Sequence, residues 1–226
     1  MRVLKLTLIA IMLPMFMYAQ KTEVGMFAGL SNYQGDLVES GFTLKDSKFT
    51  IGLLMKHHLS SKLAIRAGVN VGRFEGDDAN FDERENRGYS FESNFFDLTA
   101  GAEYTFLGKD RYDAGGTFKK TVSPFVYVMV GIVNTDVSVD DKIIRTQDEI
   151  DASSLHFSLP VGGGLKADLS ERITLAADVS FRATFSDYLD GFSESANKDE
   201  NDWYFLGGVT FTYRLGEGSK NSANNN

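Results

Sequence analysis

The residues of this chain with chemical potential are three histidines with serines and acids nearby, two acidic stretches, and charges set into alternating apolar segments. His58 precedes Ser60 by two residues, and His156 precedes Ser158 by two. Each pair invites comparison with a His–Ser–acid lipid hydrolase on a barrel wall, but a triad is a matter of geometry, and only sequence proximity supports either pair. His57 and His58 are adjacent, so on a strand they point to opposite faces and cannot share one metal ion. The absence of cysteine excludes disulfides and thiolate metal sites.

The acidic stretches read in the same way. Residues 75–88 hold Glu75, Asp77, Asp78, Asp82, Glu83 and Glu85 against Arg84 and Arg87. Residues 136–153 hold Asp136, Asp140, Asp141, Asp148, Glu149 and Asp151 against Lys142 and Arg145. The calcium-loop spacing, with alternating acids, a central Gly and a terminal Glu, is absent from both. Solvated anionic loops are expected, with no metal, no cofactor and no catalytic residue. The chain reads as a protein that is not an enzyme.

What positions these residues begins at the N-terminus. Arg2 and Lys5 precede an apolar run from Leu6 to Tyr18, and Ala19 supplies a small residue before a cut at Gln20. This is the pattern of a secretory signal peptide over residues 1–19, too short for a retained span. Residues 20–226 form the mature domain. Removing the leader removes two bases and no acid, so 21 basic residues face 31 acidic ones. Such a chain lacks the basic face that nucleic acid requires.

The mature chain alternates. Leu63, Ile65, Ala67, Val69 and Val71 share one face, and Ala64, Arg66, Gly68, Asn70 and Gly72 the other. Ile173 to Phe185 repeats the pattern, with Asp178, Ser180 and Arg182 on its polar face. A period of two over more than ten residues is strand, of a length that crosses a bilayer at a tilt. Noisier segments lie near Glu23–Asn32, Phe49–Leu59, Phe91–Phe106, Ser123–Thr135, Ser154–Leu169 and Asp202–Arg214. Phe74, Phe91, Tyr104, Phe106, Phe125, Phe185, Trp203, Phe211 and Tyr213 stand near segment ends, where a bilayer interface favours aromatic rings. Pro160 and Gly162–Gly164 predict a bulge or bend.

The polar faces decide between two barrels. A soluble lipocalin-like barrel turns its polar face out. A membrane barrel turns it in, and Arg66, Asp97, Glu103, Lys166, Asp178 and Arg182 would be costly against lipid but can pair in a lumen. The expectation is an all-β, eight-stranded antiparallel transmembrane up-and-down barrel in an outer membrane, with outer-membrane lipids around it. Its lumen is just wide enough for side chains to fill, so a paired interior network is expected rather than an ion path. Ser60–Lys62 and Ser170–Arg172 are tight turns, whereas residues near 33–48, 75–90, 136–153 and 187–201 are long and polar. Short turns belong on the periplasmic side. Leu107–Val122 is too long for that side and carries Lys109, Arg111, Lys119 and Lys120, a basic ledge suited to an acidic periplasmic partner.

Several phrases resemble a known family. Ser31-Asn32-Tyr33-Gln34-Gly35-Asp36-Leu37, Arg87-Gly88-Tyr89-Ser90-Phe91, Glu103-Tyr104-Thr105-Phe106, Ser123-Pro124-Phe125, Asp187-Tyr188-Leu189-Asp190 and Asn201-Asp202-Trp203-Tyr204-Phe205 occur in order. Together they resemble the PorG-like outer-membrane barrel component of the type IX secretion system of Bacteroidota. The resemblance implies a non-enzymatic barrel that anchors a periplasmic lipoprotein ring. It implies that Asn32, Tyr33, Gly35, Asp36, Asp187, Tyr188 and Asp190 shape loop junctions. The alternative is a stand-alone small barrel with an adhesion or envelope-maintenance role. N-terminal sequencing of the protein extracted from its membrane is expected to begin at Gln20; a chain beginning at Met1 would overturn the leader.

Overall fold

Eight strands follow one another as β1 (Thr22–Gln34), β2 (Lys48–His58), β3 (Leu63–Asp77), β4 (Ser90–Thr105), β5 (Val122–Val139), β6 (Ser153–Asp168), β7 (Ile173–Thr184) and β8 (Trp203–Arg214). Each pairs antiparallel with its neighbours in sequence, and β8 returns to β1, closing a barrel. This computed structural model describes residues 21–34, 47–77, 90–107, 117–139, 153–184 and 203–216. The leader, Gly35, Asp36, Lys109, Arg111, Asp187, Tyr188 and Asp190 lie outside the described residues. No described helix is long and apolar enough to cross a membrane; the strands do the crossing.

The alternation sorts side chains as a membrane barrel requires. On β7, Thr174, Ala176, Asp178, Ser180, Arg182 and Thr184 point inward and are buried, while Leu175, Val179 and Phe181 point outward and are exposed. The other strands do the same, so the exterior is a band of Val, Leu, Ile, Met and Phe. Charged groups inside and hydrocarbon outside exclude the lipocalin-like arrangement, because in water the exposed apolar band would be unpaired. β5 runs 18 residues, more than the 9–11 or so a tilted crossing takes. The ladder β3–β4 reaches Asp77↔Ser90 and β4–β5 reaches Phe91↔Val139. Strand therefore extends into stretches that sequence assigns to loops near 75–90 and 136–153.

Two further expectations are corrected. Phe74 and Phe125 are each only 1% exposed and point into the lumen, so they are not part of an interfacial belt. Both stand on inward-facing positions, and residue type near a strand end does not reveal the face. Tyr104, Phe106, Phe211 and Tyr213 do face outward and are exposed. The second correction concerns Pro160. The β5–β6 ladder skips from Val128↔Val161 to Gly131↔Ser158 without changing register, and β6–β7 keeps Pro160↔Arg182. There is no bulge: proline cannot donate, so pairing lapses locally while the strand runs on. The neighbouring Gly162 instead makes room, since a Cβ there would lie 2.5 Å from the Tyr127 ring.

The outward band has a direct test. Val179, 60% exposed at the middle of β7, faces hydrocarbon. Val179→Arg is expected to destabilise the barrel by about 2–4 kcal/mol in urea unfolding from lipid vesicles. A change within about 0.5 kcal/mol, as at a solvated surface site, would put that face in water.

Candidate functional site

The barrel concentrates its polar chemistry in the lumen. Glu103 on β4 is fully buried, and three cations from other strands converge on it. Lys56 Nζ of β2 lies 2.7 Å from Oε2, Arg66 Nη1 of β3 lies 3.3 Å from Oε2, and Lys166 Nζ of β6 lies 2.9 Å from Oε1. Arg66 also reaches across with Nη2 to Asp178 Oδ2 of β7 at 3.2 Å. Asp178 accepts the Tyr127 hydroxyl of β5 at 2.9 Å and the Thr210 hydroxyl of β8 at 3.2 Å. A carboxylate removed from bulk water needs such partners, because an unmatched buried charge costs several kcal/mol.

A second cluster lies beside the first. Asp97 of β4 is ion-paired with Arg182 of β7 and accepts from Asn70 Nδ2 at 2.9 Å and from the Tyr204 hydroxyl at 3.4 Å. Near the short-turn end, Glu23 of β1 meets Arg214 of β8 at 2.5 Å, His58 Nε2 at 3.0 Å and the Thr212 hydroxyl at 3.1 Å. Every strand therefore contributes at least one side chain to a bridge across or along the lumen.

Aromatic rings complete the packing of the cations. Lys56 and Lys166 sit 5.2 and 5.6 Å from the Phe125 ring centre, and the Arg66 guanidinium lies 4.2 Å from that of Tyr127. Desolvated cations over ring faces gain from the ring quadrupole. Nearer the long connections, Phe74 stacks on Phe95 at 4.3 Å, with the Tyr204 ring edge-on to Phe74 at 5.0 Å. A small cavity of about 20 Å³ lies among Arg66, Asn70, Thr99, Asp178 and Arg182. That is room on the order of one water molecule, not a path for hydrated ions.

The residues singled out by sequence now have places. Arg66, Asp97, Glu103, Lys166, Asp178 and Arg182 share the lumen, in the two clusters just described. Asn32 is buried near the β1 end, where its Nδ2 donates to Ser47 Oγ at 3.3 Å. Tyr33 belongs to β1 and pairs with Tyr204 in register. Lys119 and Lys120 are exposed on the return of the β4–β5 connection, away from the lumen network. The histidines do not assemble a triad with their serines. His58 faces Glu23, His57 Nδ1 lies 3.0 Å from the Thr22 hydroxyl, and His156 and Ser158 are buried inside, out of reach of lipid. Among the described residues no group of three or more His, Asp or Glu is placed to hold a metal ion.

Sequence reasoning missed Lys56, Glu23, Asn70, Tyr127 and Tyr204 as members of the network. For Lys56 a signal existed. Thr50, Gly52, Leu54 and Lys56 lie on one alternating face, so the register that turns Thr50 inward also turns Lys56 inward.

The family described as "Domain of unknown function (DUF6089)" matches residues 2–223, and the chain belongs to that family. No curated protein matches the sequence. Among solved structures, Neisserial surface protein A (NspA) is similar over 86% of this chain and 97% of its own, at 13% identity and a TM-score of 0.51. Ail, the attachment invasion locus protein of Yersinia pestis, covers 84% of this chain and 97% of its own at 12% identity and TM-score 0.45. OprG from Pseudomonas aeruginosa covers 86% and 97% at 10% identity and TM-score 0.42. At such identity the likeness to NspA is one of fold. Together with the apolar exterior and charged lumen, it makes this chain a transmembrane barrel of the outer-membrane type.

Glu103 is the member whose loss should be felt most. Glu103→Gln leaves Lys56, Arg66 and Lys166 without their shared carboxylate. It is expected to cost about 3–5 kcal/mol in the vesicle unfolding measurement. A loss below about 1 kcal/mol would mean that solvent already screens these groups.

Proposed function

We propose that this member of the DUF6089 family is a stand-alone small outer-membrane barrel with an adhesion or envelope-maintenance role. One observation carries this reading: among the described residues the lumen is filled by ion pairs and aromatic rings around a cavity of about 20 Å³. A barrel that passes nothing through its middle does its work at its rims and on its lipid-facing wall. The rims differ in charge. The four connections β1–β2, β3–β4, β5–β6 and β7–β8 carry eighteen acidic residues against six basic ones. The other three carry three acids against six bases. The acidic rim suits solvated display outward, and the braced lumen gives it a rigid base.

A second reading rests on a different observation. The β4–β5 connection is the one long segment on the short-turn side, and Lys119 and Lys120 are exposed where it returns. This supports a PorG-like role as a secretion-machine subunit, anchoring a periplasmic lipoprotein ring through Lys109, Arg111, Lys119 and Lys120.

Mild-detergent purification of the tagged barrel from its native membrane separates the two. The stand-alone reading expects the barrel without a stoichiometric periplasmic protein, and normal secretion after deletion. Recovery of a lipoprotein ring that is lost on replacing Lys109, Arg111, Lys119 and Lys120 with Ser would instead establish the secretion role.

A further inference from the structure

The two tight turns are the same turn. β2 runs into β3 through Leu59-Ser60-Ser61-Lys62-Leu63, and β6 into β7 through Leu169-Ser170-Glu171-Arg172-Ile173. In each, the Leu amide donates to the carbonyl four residues on, at 2.9 Å in both. In each, the Ser hydroxyl accepts from the cation's own amide at 3.3 Å and from the following amide at 3.0 Å. The serine thus fixes the backbone of the turn. That fixes where the long side chain of Lys62 or Arg172 leaves it.

The surroundings repeat as well. Leu63, after Lys62, pairs in register with Tyr104; Ile173, after Arg172, pairs with Tyr213. Both tyrosines face outward and are exposed, and Arg172 Nη1 lies 3.0 Å from the Tyr213 hydroxyl. Arg172 is therefore held against the lipid-facing wall rather than under the lumen. Each of the four strands that descend to this rim is followed by an exposed leucine: Leu59, Leu107, Leu169 and Leu215. A leucine ring places the edge of the hydrocarbon at the turns. Tyr104 and Tyr213 come just before Leu107 and Leu215 on their strands, and from there a tyrosine hydroxyl and the long side chain of a turn cation reach headgroup depth. Exposed Lys21, Lys119 and Lys120 stand on the same rim, with Glu171 the one exposed acid among its described residues.

We propose that the turns at Ser60–Lys62 and Ser170–Arg172 are two equivalent binding sites for the phosphate of an anionic phospholipid in the inner leaflet. The cation and the neighbouring tyrosine hydroxyl are its donors. A phosphodiester accepts from both, and the surplus of cations on the rim selects a headgroup with net negative charge. Both turns adjoin the ends of the β4–β5 connection, Thr105 N donating to the Lys62 carbonyl at 2.7 Å and Asp168 N to the Thr121 carbonyl at 2.9 Å, so the test must separate lipid binding from protein docking.

The test is native mass spectrometry of the barrel released from nanodiscs of phosphatidylglycerol and phosphatidylcholine in equal parts. The wild-type protein is expected to retain phosphatidylglycerol preferentially. K62Q/R172Q should reduce that preference roughly fivefold per cation removed, and K62R should retain it. Heat-dependent migration on a gel checks that each variant is folded. If K62Q/R172Q does not fold, Y104F/Y213F removes only the hydroxyls and should weaken the preference with the rings in place. Equal retention of the two lipids by the wild type overturns the proposal. So does an undiminished preference in a folded K62Q/R172Q or Y104F/Y213F barrel, or loss of a co-purifying acidic protein from K62Q/R172Q with lipid retention unchanged.

Discussion

Carboxylates in a narrow lumen must find their counterions on other strands, and the rest of this barrel follows from that requirement. Glu103 is fully buried. It is matched by Lys56, Arg66 and Lys166 from β2, β3 and β6, while Arg66 passes the connection on to Asp178 of β7. The pairs work only in one register. A slip of a single residue on β3 would carry Arg66 to the lipid face and an apolar side chain into the lumen. The network therefore specifies strand pairing, whatever its net contribution to stability, since buried pairs repay desolvation only when their geometry is good.

The same constraint sets the distribution of small and large residues. Long cationic side chains and aromatic rings fill a cylinder only if glycines stand opposite them. A Cβ at Gly52 would meet the Asn70 side chain, and one at Gly162 would meet Tyr127. Asn70 and Tyr127 are the neutral partners of Asp97 and Asp178, so these glycines act on the electrostatics through space-filling. In an eight-stranded barrel the interior is no wider than its side chains, and these residues fill it. The two rims diverge, one acidic and carried on long connections, the other basic, with two tight turns and a fringe of leucine.

Much of this was legible in the residues. Strict alternation along Leu63–Gly72 and Ile173–Phe185 determined strand, and strand lengths suited to a bilayer, together with a closed set of eight, determined a barrel. Mid-strand charges of both signs determined which face looks inward, because lipid would not tolerate them. Arg66, Asp97, Glu103, Lys166, Asp178 and Arg182 could be placed on polar faces from period two alone, and the tight turns from the few residues between strands. The family-like phrases covered most of the chain, yet several of their residues belong to the long connections, where alternation carries no information.

Partner choice was decided only by the tertiary structure. Period two assigns a face but not a height, and the strand tilt sets which inward residues meet across the lumen. Hence Glu103 takes Arg66 and Lys166 rather than Arg182, and Asp97 takes Arg182, although the sequence offers all of them as equivalent. The depth of each ring is decided in the same way. Phe125 and Tyr104 both stand near strand ends, but their register turns one onto the lumen's lysines and the other toward lipid. Closure likewise makes Glu23 of the first strand and Arg214 of the last direct neighbours across the β1–β8 seam. The physical reason is common to all three. Alternation is a property of one strand, whereas tilt, stagger and closure are properties of the whole sheet.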